Sequence, residues 1–351
     1  KGALASGATV RLLLIGNPTR PDGEFADAFR SKRHLYNPIH VGLWDSPNLA
    51  PLQVGFEALS GNRAAQIAYL RTAPPGPCPY LVSPAYVADS LDEYGWDSPI
   101  FQVRVLGEPP TSAANSLIPL DWIERAENRF RDLEQAVEDG RDRFWWDVPR
   151  SEREDETQLG IDVGGGGSGE TVYTPRCGFV AKHQVISTLA DVMVNAQAGA
   201  ALGVELGAAV TRVDWTGIGQ GFYDKMNELN VEGLDRYIAS AAPEEKDRFI
   251  NRRAESFWHL RKLYENDQII HPPETRLAGQ LSTMRFKTTQ KTLIQVESKA
   301  DMQARGLKSP DRADSLCIAY APYGSVCAEA GYIEPDTNDY TSEYSQESEG
   351  I

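Results

Sequence analysis

Gln158-Leu159-Gly160-Ile161-Asp162-Val163-Gly164-Gly165-Gly166-Gly167-Ser168-Gly169-Glu170-Thr171 is read as a strand that delivers a carboxylate to an open end. Leu159, Ile161 and Val163 alternate with Gly160 and Asp162, the period of a strand with one apolar face and one acid on the other. The glycines that follow permit backbone conformations other residues resist and place no side chain over the acid. Such a carboxylate suits a divalent metal or a nucleophile, because an ion can approach it without displacing packed groups. An Asp before a glycine run also suits an ordinary turn, so the rest of the chain has to decide.

Two other stretches repeat the device. In Ala208-Ala209-Val210-Thr211-Arg212-Val213-Asp214-Trp215-Thr216-Gly217-Ile218-Gly219-Gln220-Gly221 a strand again ends in an Asp before glycines, and a helix over Phe222 to Leu229 follows. In Ser309-Pro310-Asp311-Arg312-Ala313-Asp314-Ser315-Leu316 a helix opens, with Ser309 as N-cap and Pro310 at the first helical position. Asp311 and Asp314 project from one face of its first turn, where the helix dipole favours ionised carboxylates. Capping alone also accounts for that pair. Three carboxylate-bearing element ends are what two-metal phosphodiester hydrolysis requires, with two ions roughly 4 Å apart held by hard oxygen ligands.

Around these stretches the pattern is α/β. Thr171-Val172-Tyr173-Thr174 pairs back on the first strand and Phe179-Val180-Ala181 adds a third. Ser187 to Ala201 forms a helix with Leu189, Val192, Met193, Ala196 and Ala200 inward, before Gly203. A helix from Pro243 to about Asn266 turns Phe249, Ala254, Phe257, Leu260 and Tyr264 inward and leaves Arg248, Arg252, Arg261 and Lys262 nearer solvent. Leu293 to Val296 is a strand, and Ser298-Lys299 begins a basic loop.

Upstream, Thr9 to Gly16 is a continuous apolar run, the pattern of a central parallel strand. Phe101, Val103 and Val105 alternate as a further strand. Asp121 with Glu124 opens a helix whose stripe is Ile123, Ala126, Phe130, Leu133 and Val137, ended by Gly140. At 351 residues the chain should divide in two. We expect an N-terminal unit over 1–140, a charged linker over 141–156 containing Pro149, a second domain over 157–330 and an acidic, disordered tail over 331–351.

Net charge is −15, which argues against a binder that holds nucleic acid by bulk positive charge but does not exclude a nuclease. Arg285, Lys287, Lys291, Lys299, Arg305, Lys308 and Arg312 form either a track for a phosphate backbone or a solvated surface. Cys78, Cys177, Cys317 and Cys327 lack zinc spacing and read as reduced thiols of a cytoplasmic protein. No stretch approaches the roughly 20 apolar residues of a membrane span, so no membrane role is expected. The start at Lys1, without Met or leader, reads as part of a longer chain.

The ordered segments resemble a known family. Leu14-Ile15-Gly16-Asn17-Pro18-Thr19-Arg20 and Phe101-Gln102-Val103-Arg104-Val105-Leu106-Gly107-Glu108 resemble the end of the ATPase domain of phage terminase large subunits, the DNA-packaging motors. The segments beginning at Leu159, Val213, Phe249, Ile294 and Ser309 resemble, in order, that family's nuclease domain from Gly160 to Tyr320. The resemblance implies an RNase H-like nuclease domain, a mixed sheet flanked by helices, preceded by a partial P-loop-type α/β ATPase domain. No GxxxxGK[ST] motif stands in the chain, so no ATP hydrolysis is expected from it alone.

By position, Asp162 corresponds to the first catalytic acid and metal ligand, Asp214 to the second, and Asp311 with Asp314 to the last cluster; the direct ligand within that pair is left open. Asn17 falls in the segment that couples nucleotide hydrolysis to movement. Where the family often carries another Asp after the first acid, this chain has Ser168 and Gly169, with Glu170 just beyond. Either Glu170 takes that ligand place or the second metal binds weakly. Implied with these are two Mg²⁺ or Mn²⁺ ions, double-stranded DNA as substrate, the portal protein and terminase small subunit as partners, oligomerisation in the assembled motor, and the host cytoplasm as location. Two other readings share parts of the pattern. Gly160 to Gly165 with Thr171, and Gly217 to Gly221, also resemble the phosphate loops of actin-like sugar kinases. A DNA-docking or assembly module whose acids hold a structural ion is the third.

Overall fold

The computed structural model describes residues 13–18, 23–96, 98–109, 116–165, 169–289 and 292–322. Cys327, Lys291, Gly166 to Ser168 and the acidic tail lie outside these residues. Strand β1 (Thr157–Asp162) forms the middle of the main sheet, antiparallel to β2 (Thr171–Cys177) and parallel to β5 (Val210–Asp214). Strand β6 (Leu234–Tyr237) pairs in parallel with β5, while β3 (Val180–Ala181) and β4 (Val185–Ser187) both pair with β2. The order is β3-β2-β1-β5-β6, a mixed sheet. Strands β7 (Phe286–Thr288) and β8 (Ile294–Val296) make a separate antiparallel pair.

The helices, in chain order, are α1 (Gly23–Phe29), α2 (Gln53–Glu57), α3 (Arg63–Thr72), α4 (Pro84–Tyr94), α5 (Pro99–Phe101), α6 (Leu120–Glu138), α7 (Val192–Leu206), α8 (Gly219–Glu228), α9 (Arg252–Glu265), α10 (Thr275–Thr283), α11 (Lys299–Ala304) and α12 (Asp311–Ala319). The alternation in β1 sorts them into two layers. Leu159 and Ile161 point into a cluster with Val213 and with Ala196, Ala200, Phe222 and Met226 of α7 and α8. Gly160 faces the other way, where a Cβ would overlap the main chain of Ala319; only glycine lets α12 lie directly on the strand. The Ser315 hydroxyl lies 3.1 Å from the carbonyl of Gly160 and 3.0 Å from that of Val172, pinning α12 across β1 and β2. Behind α12 a second cluster runs through α9 and α10 to Ile123, Phe101, Leu91 and Val87. Apolar packing is therefore continuous from the N-terminal helices to the sheet.

Several local expectations change. Residues 13–16 have no regular structure, and Leu13 and Ile15 are 78% and 85% exposed; a strand needs a neighbour, and none pairs with them among the described residues. No strand occurs among the described residues before Thr157, so the partial ATPase sheet is not seen. Phe101 to Val105 is helical, α5 running into a π-helical turn at Gln102–Leu106. The Ser98 hydroxyl accepts from the Phe101 N–H, Pro99 occupies the first turn, and Ile100, Phe101, Val103 and Val105 are all buried, which one face of a strand would not achieve.

Helix α6 starts at Leu120 with Pro119 as N-cap, and Asp121 instead pairs with Arg125 in the first turn. Helix α7 starts after Asp191, whose carboxylate caps two N–H groups, and Leu189 and Met193 are exposed rather than inward. Helix α9 begins at Arg252 because the Asn251 side chain caps it. The apolar residues predicted inward on α9 are buried, but Arg261 bonds the Leu117 carbonyl and lies over Trp122 and Trp258. Ser298 is no loop residue but the N-cap of α11, in a capping box with Asp301. Pro310, not Ser309, holds the N-cap position of α12. Within 141–156, Trp145 Nε1 donates to Val180 O (3.1 Å) and Arg153 to Leu206 O (2.7 Å).

Candidate functional site

Two adjacent parallel strands carry Asp162 and Asp214 to the same end of the sheet, because Ile161 stands in register with Val213. The carboxyl ends of parallel strands are where α/β sheets gather ligand chemistry. Helix α12 brings Asp311 and Asp314 to the same end. Asp162, Asp311 and Asp314 are all buried, unusual for carboxylates unless partnered.

The partner is a lysine. Lys299 Nζ lies 3.5 Å from Asp162 Oδ1 and 3.1 Å from Asp314 Oδ2, so one ammonium joins β1 to α12. Arg253 Nη1 lies 2.5 Å from Asp314 Oδ1, and its guanidinium stacks over Phe257. Asp214 Oδ1 accepts the Thr216 N–H at 3.1 Å. Val163, Asp214, Thr216, Arg253, Lys299 and Asp314 line a cleft of about 280 Å³.

The charges act on one another. Burial, reinforced by Asp314, Asp214 and Asp311, pushes the Asp162 carboxyl well above its ordinary range even though Lys299 pulls it down. Burial also raises Asp214, against the Thr216 bonds. For Asp314 burial is outweighed by Arg253 and Lys299, which hold its carboxyl low. Burial works against the Lys299 ammonium, yet Asp314 and Asp162 outweigh it and keep the proton on. Four carboxyl groups stand against two cations in a partly dry cleft, and the upward shifts of Asp162 and Asp214 mark the places where a further cation or a proton would relieve burial and repulsion.

The donor set fits a hard divalent ion: carboxylate oxygens on two strand ends and a helix start. Among the described residues no three acidic, His or Cys side chains are gathered closely enough to hold an ion as they stand. In the same place the Lys299 ammonium stands between Asp162 and Asp314.

The other predicted residues are placed differently. The Glu170 carboxylate is gripped by Arg312 (3.0 and 3.2 Å) and Arg276 (2.9 Å), while its main-chain N–H donates to Asp311 Oδ2 at 2.9 Å. Asn17 is exposed in the irregular stretch 13–18. The basic track is largely neutralised: Arg305 pairs with Glu297, Lys308 with Asp92 and Glu93, and Arg312 with Glu170 and Glu274. Sequence reasoning left Lys299 and Arg253 outside the site. The signal for Lys299 was its place in the basic track beyond the β8 strand end, and for Arg253 its place in the resembling segment that begins at Phe249. No described helix is long and apolar enough to cross a membrane, and Cys78, Cys177 and Cys317 are free thiols.

Fold and site together define a carboxylate-rich cleft at the strand ends of a mixed α/β sheet. No protein-family model and no curated protein matches the chain. Among solved structures it is similar to the nuclease domain of the large terminase subunit gp2 of bacterial virus Sf6, at 19% identity and TM-score 0.49, over 58% of this chain and 98% of that one. It is also similar to the large terminase nuclease from thermophilic phage G20c, at 16% identity and TM-score 0.38, over 49% of this chain and 84% of that one. The same G20c nuclease with bound magnesium gives 16% identity and TM-score 0.39, over 49% and 83%.

Proposed function

We propose that the chain is a metal-dependent endonuclease for double-stranded DNA, the nuclease part of a phage terminase large subunit. The observation that carries this reading is Lys299: an ammonium bridging Asp162 and Asp314 marks where carboxylates from β1 and α12, with Asp214 of β5 beside them, demand positive charge. Asp162, Asp214 and either Asp311 or Asp314 are the proposed holders of Mg²⁺ or Mn²⁺. When bound, such ions polarise a phosphoryl oxygen and supply a nucleophilic water.

The remaining work falls to the chain's own groups. Burial of the acids on rigid elements keeps the ligand oxygens in place. Arg253 neutralises Asp314 from behind and lines the cleft. Lys299, which lines the cleft between Asp162 and Asp314, would stand beside an ion held there and could meet the phosphate it activates. We assign Glu170 no metal-ligand role, since both its oxygens face guanidinium groups. Packaging, and contacts with the portal and small subunit, belong to this proposal through the sequence resemblance alone.

The test is cleavage of a linear duplex by the purified chain in Mg²⁺ or Mn²⁺. Activity is expected to vanish in Asp162→Ala and in Asp214→Ala proteins that still melt cooperatively. Undiminished cutting by folded Asp162→Ala would remove the assignment.

A further inference from the structure

The acids of the cleft are supported from one side by a chain of ion pairs that no step above uses. Glu170 is its centre. One Glu170 oxygen, Oε2, accepts Arg312 Nε at 3.0 Å; the other, Oε1, accepts both Arg312 Nη2 at 3.2 Å and Arg276 Nη1 at 2.9 Å. Arg276 continues outward, its Nε 3.7 Å from Glu93 Oε1 on α4, and Lys308 closes on the same Glu93 at 3.3 Å. Inward, the Glu170 N–H donates to Asp311 Oδ2. Arg312 is itself fixed by Glu274 at 2.9 Å, and its N–H and that of Ala313 both donate to Gln280 Oε1.

Exposed ion pairs contribute little, and the chain is graded in this respect: Glu170, Arg312 and Glu93 are 15%, 10% and 11% accessible, whereas Arg276, which joins Glu93 to Glu170, is 46% accessible, so the outer limb is the weaker one. The Arg312 contact is a two-point fork, which sets direction as well as distance. With both oxygens so held, Glu170 could reach an ion in the cleft only by surrendering several charged bonds in a half-dry setting. Its main chain, by contrast, already touches an acid of the site.

We propose that Glu170 is a positioning residue that sets Asp311 through its N–H, and that Glu93 on α4 acts on the same site through Arg276. The proposal rests on the metal-dependent reading above. Groups that orient ligands from behind alter metal affinity by about 10–100-fold when removed.

The experiment compares the chain with Glu170→Gln, Glu93→Gln, Arg276→Ala and the Glu170→Gln/Glu93→Gln pair. It reads the Mn²⁺ concentration at half-maximal rise in Tm, and kcat and KM for duplex cleavage. Glu170→Gln should raise the Mn²⁺ midpoint about 10-fold and lower kcat with little change in KM. Glu93→Gln and Arg276→Ala should move both in the same direction by less, the pair should be less than additive, and Arg276→Lys should restore part of the loss. A shift confined to Glu170→Gln, with Glu93→Gln and Arg276→Ala silent, would overturn the relay through Arg276 and Glu93. Variants that all match a wild type stabilised by Mn²⁺ overturn the relay alone. A wild type that Mn²⁺ does not stabilise overturns both the relay and the nuclease reading.

Discussion

Gly160 and Ala319 meet so closely that a single added methyl at Gly160 would overlap the Ala319 main chain. That contact decides how near Asp311 and Asp314, at the other end of α12, come to Asp162. Gly160→Ala should therefore push the helix off the strand at an overpacking cost of about 1–3 kcal/mol. It should also weaken the Mn²⁺ response of Tm. Urea denaturation reads the first effect and a metal titration the second; an unchanged midpoint in both would mean the helix is not held by this contact.

Lys299→Ala removes the ammonium between Asp162 and Asp314. Without metal the two buried carboxylates lose a shared partner, and the protein should be less stable by about 1–3 kcal/mol, discounted because the Lys299 side chain is partly exposed. With Mn²⁺ the gain in Tm should exceed that of wild type, since the ion no longer competes with a resident cation. Differential scanning fluorimetry with and without metal gives both quantities, and an equal or smaller metal increment would refute the competition.

His271 offers a pH signature separate from the acids. It is buried, its Nδ1 lies 3.0 Å from the Pro272 carbonyl and its Nε2 2.9 Å from the Tyr264 hydroxyl. A carbonyl only accepts, so Nδ1 carries the proton and Nε2 accepts from Tyr264. Burial lowers the folded-state pKa to about 4, against about 6.5 unfolded. A depressed folded pKa means this contribution is complete above pH 6.5 and is lost as pH falls towards 4, by at most roughly 3 kcal/mol. His271→Gln should flatten that part of the stability–pH curve; an identical slope would show the imidazole is not buried neutral.

Ser315 is buried between Thr174, whose hydroxyl is 2.7 Å away, and the carbonyls of Gly160 and Val172. The single Ser315 proton is shared between the two carbonyls while Ser315 Oγ can accept from Thr174, so Ser315→Ala removes this junction and should cost about 1–3 kcal/mol. Because α12 also bears the acids, the variant should lose metal response in step with stability. Wild-type stability in this variant would mean water replaces the hydroxyl.

The strand through Asp162 was legible because alternation is local: Leu159 and Ile161 declare one face and Gly160 and Asp162 the other without reference to anything distant. The strand ending at Asp214 and the helix opening at Asp311 were legible for the same reason. Elsewhere local pattern misled. Phe101, Val103 and Val105 alternate like a strand but lie in helical turns, where their neighbours Ile100 and Gln102 are buried as well and alternation does not separate two faces. Residues 13–16 read as a buried strand, yet Leu13 and Ile15 lie exposed.

Element type, and the placing of acids at element ends, thus came from the chain's own periodicity and turn residues. That Lys299 sits among those acids, that Arg253 backs Asp314, and that Glu170 turns to Arg312 and Arg276 were decided only in three dimensions. A long side chain goes to whichever opposite charge packing brings within a few ångströms, and nothing in its sequence neighbours records that distance.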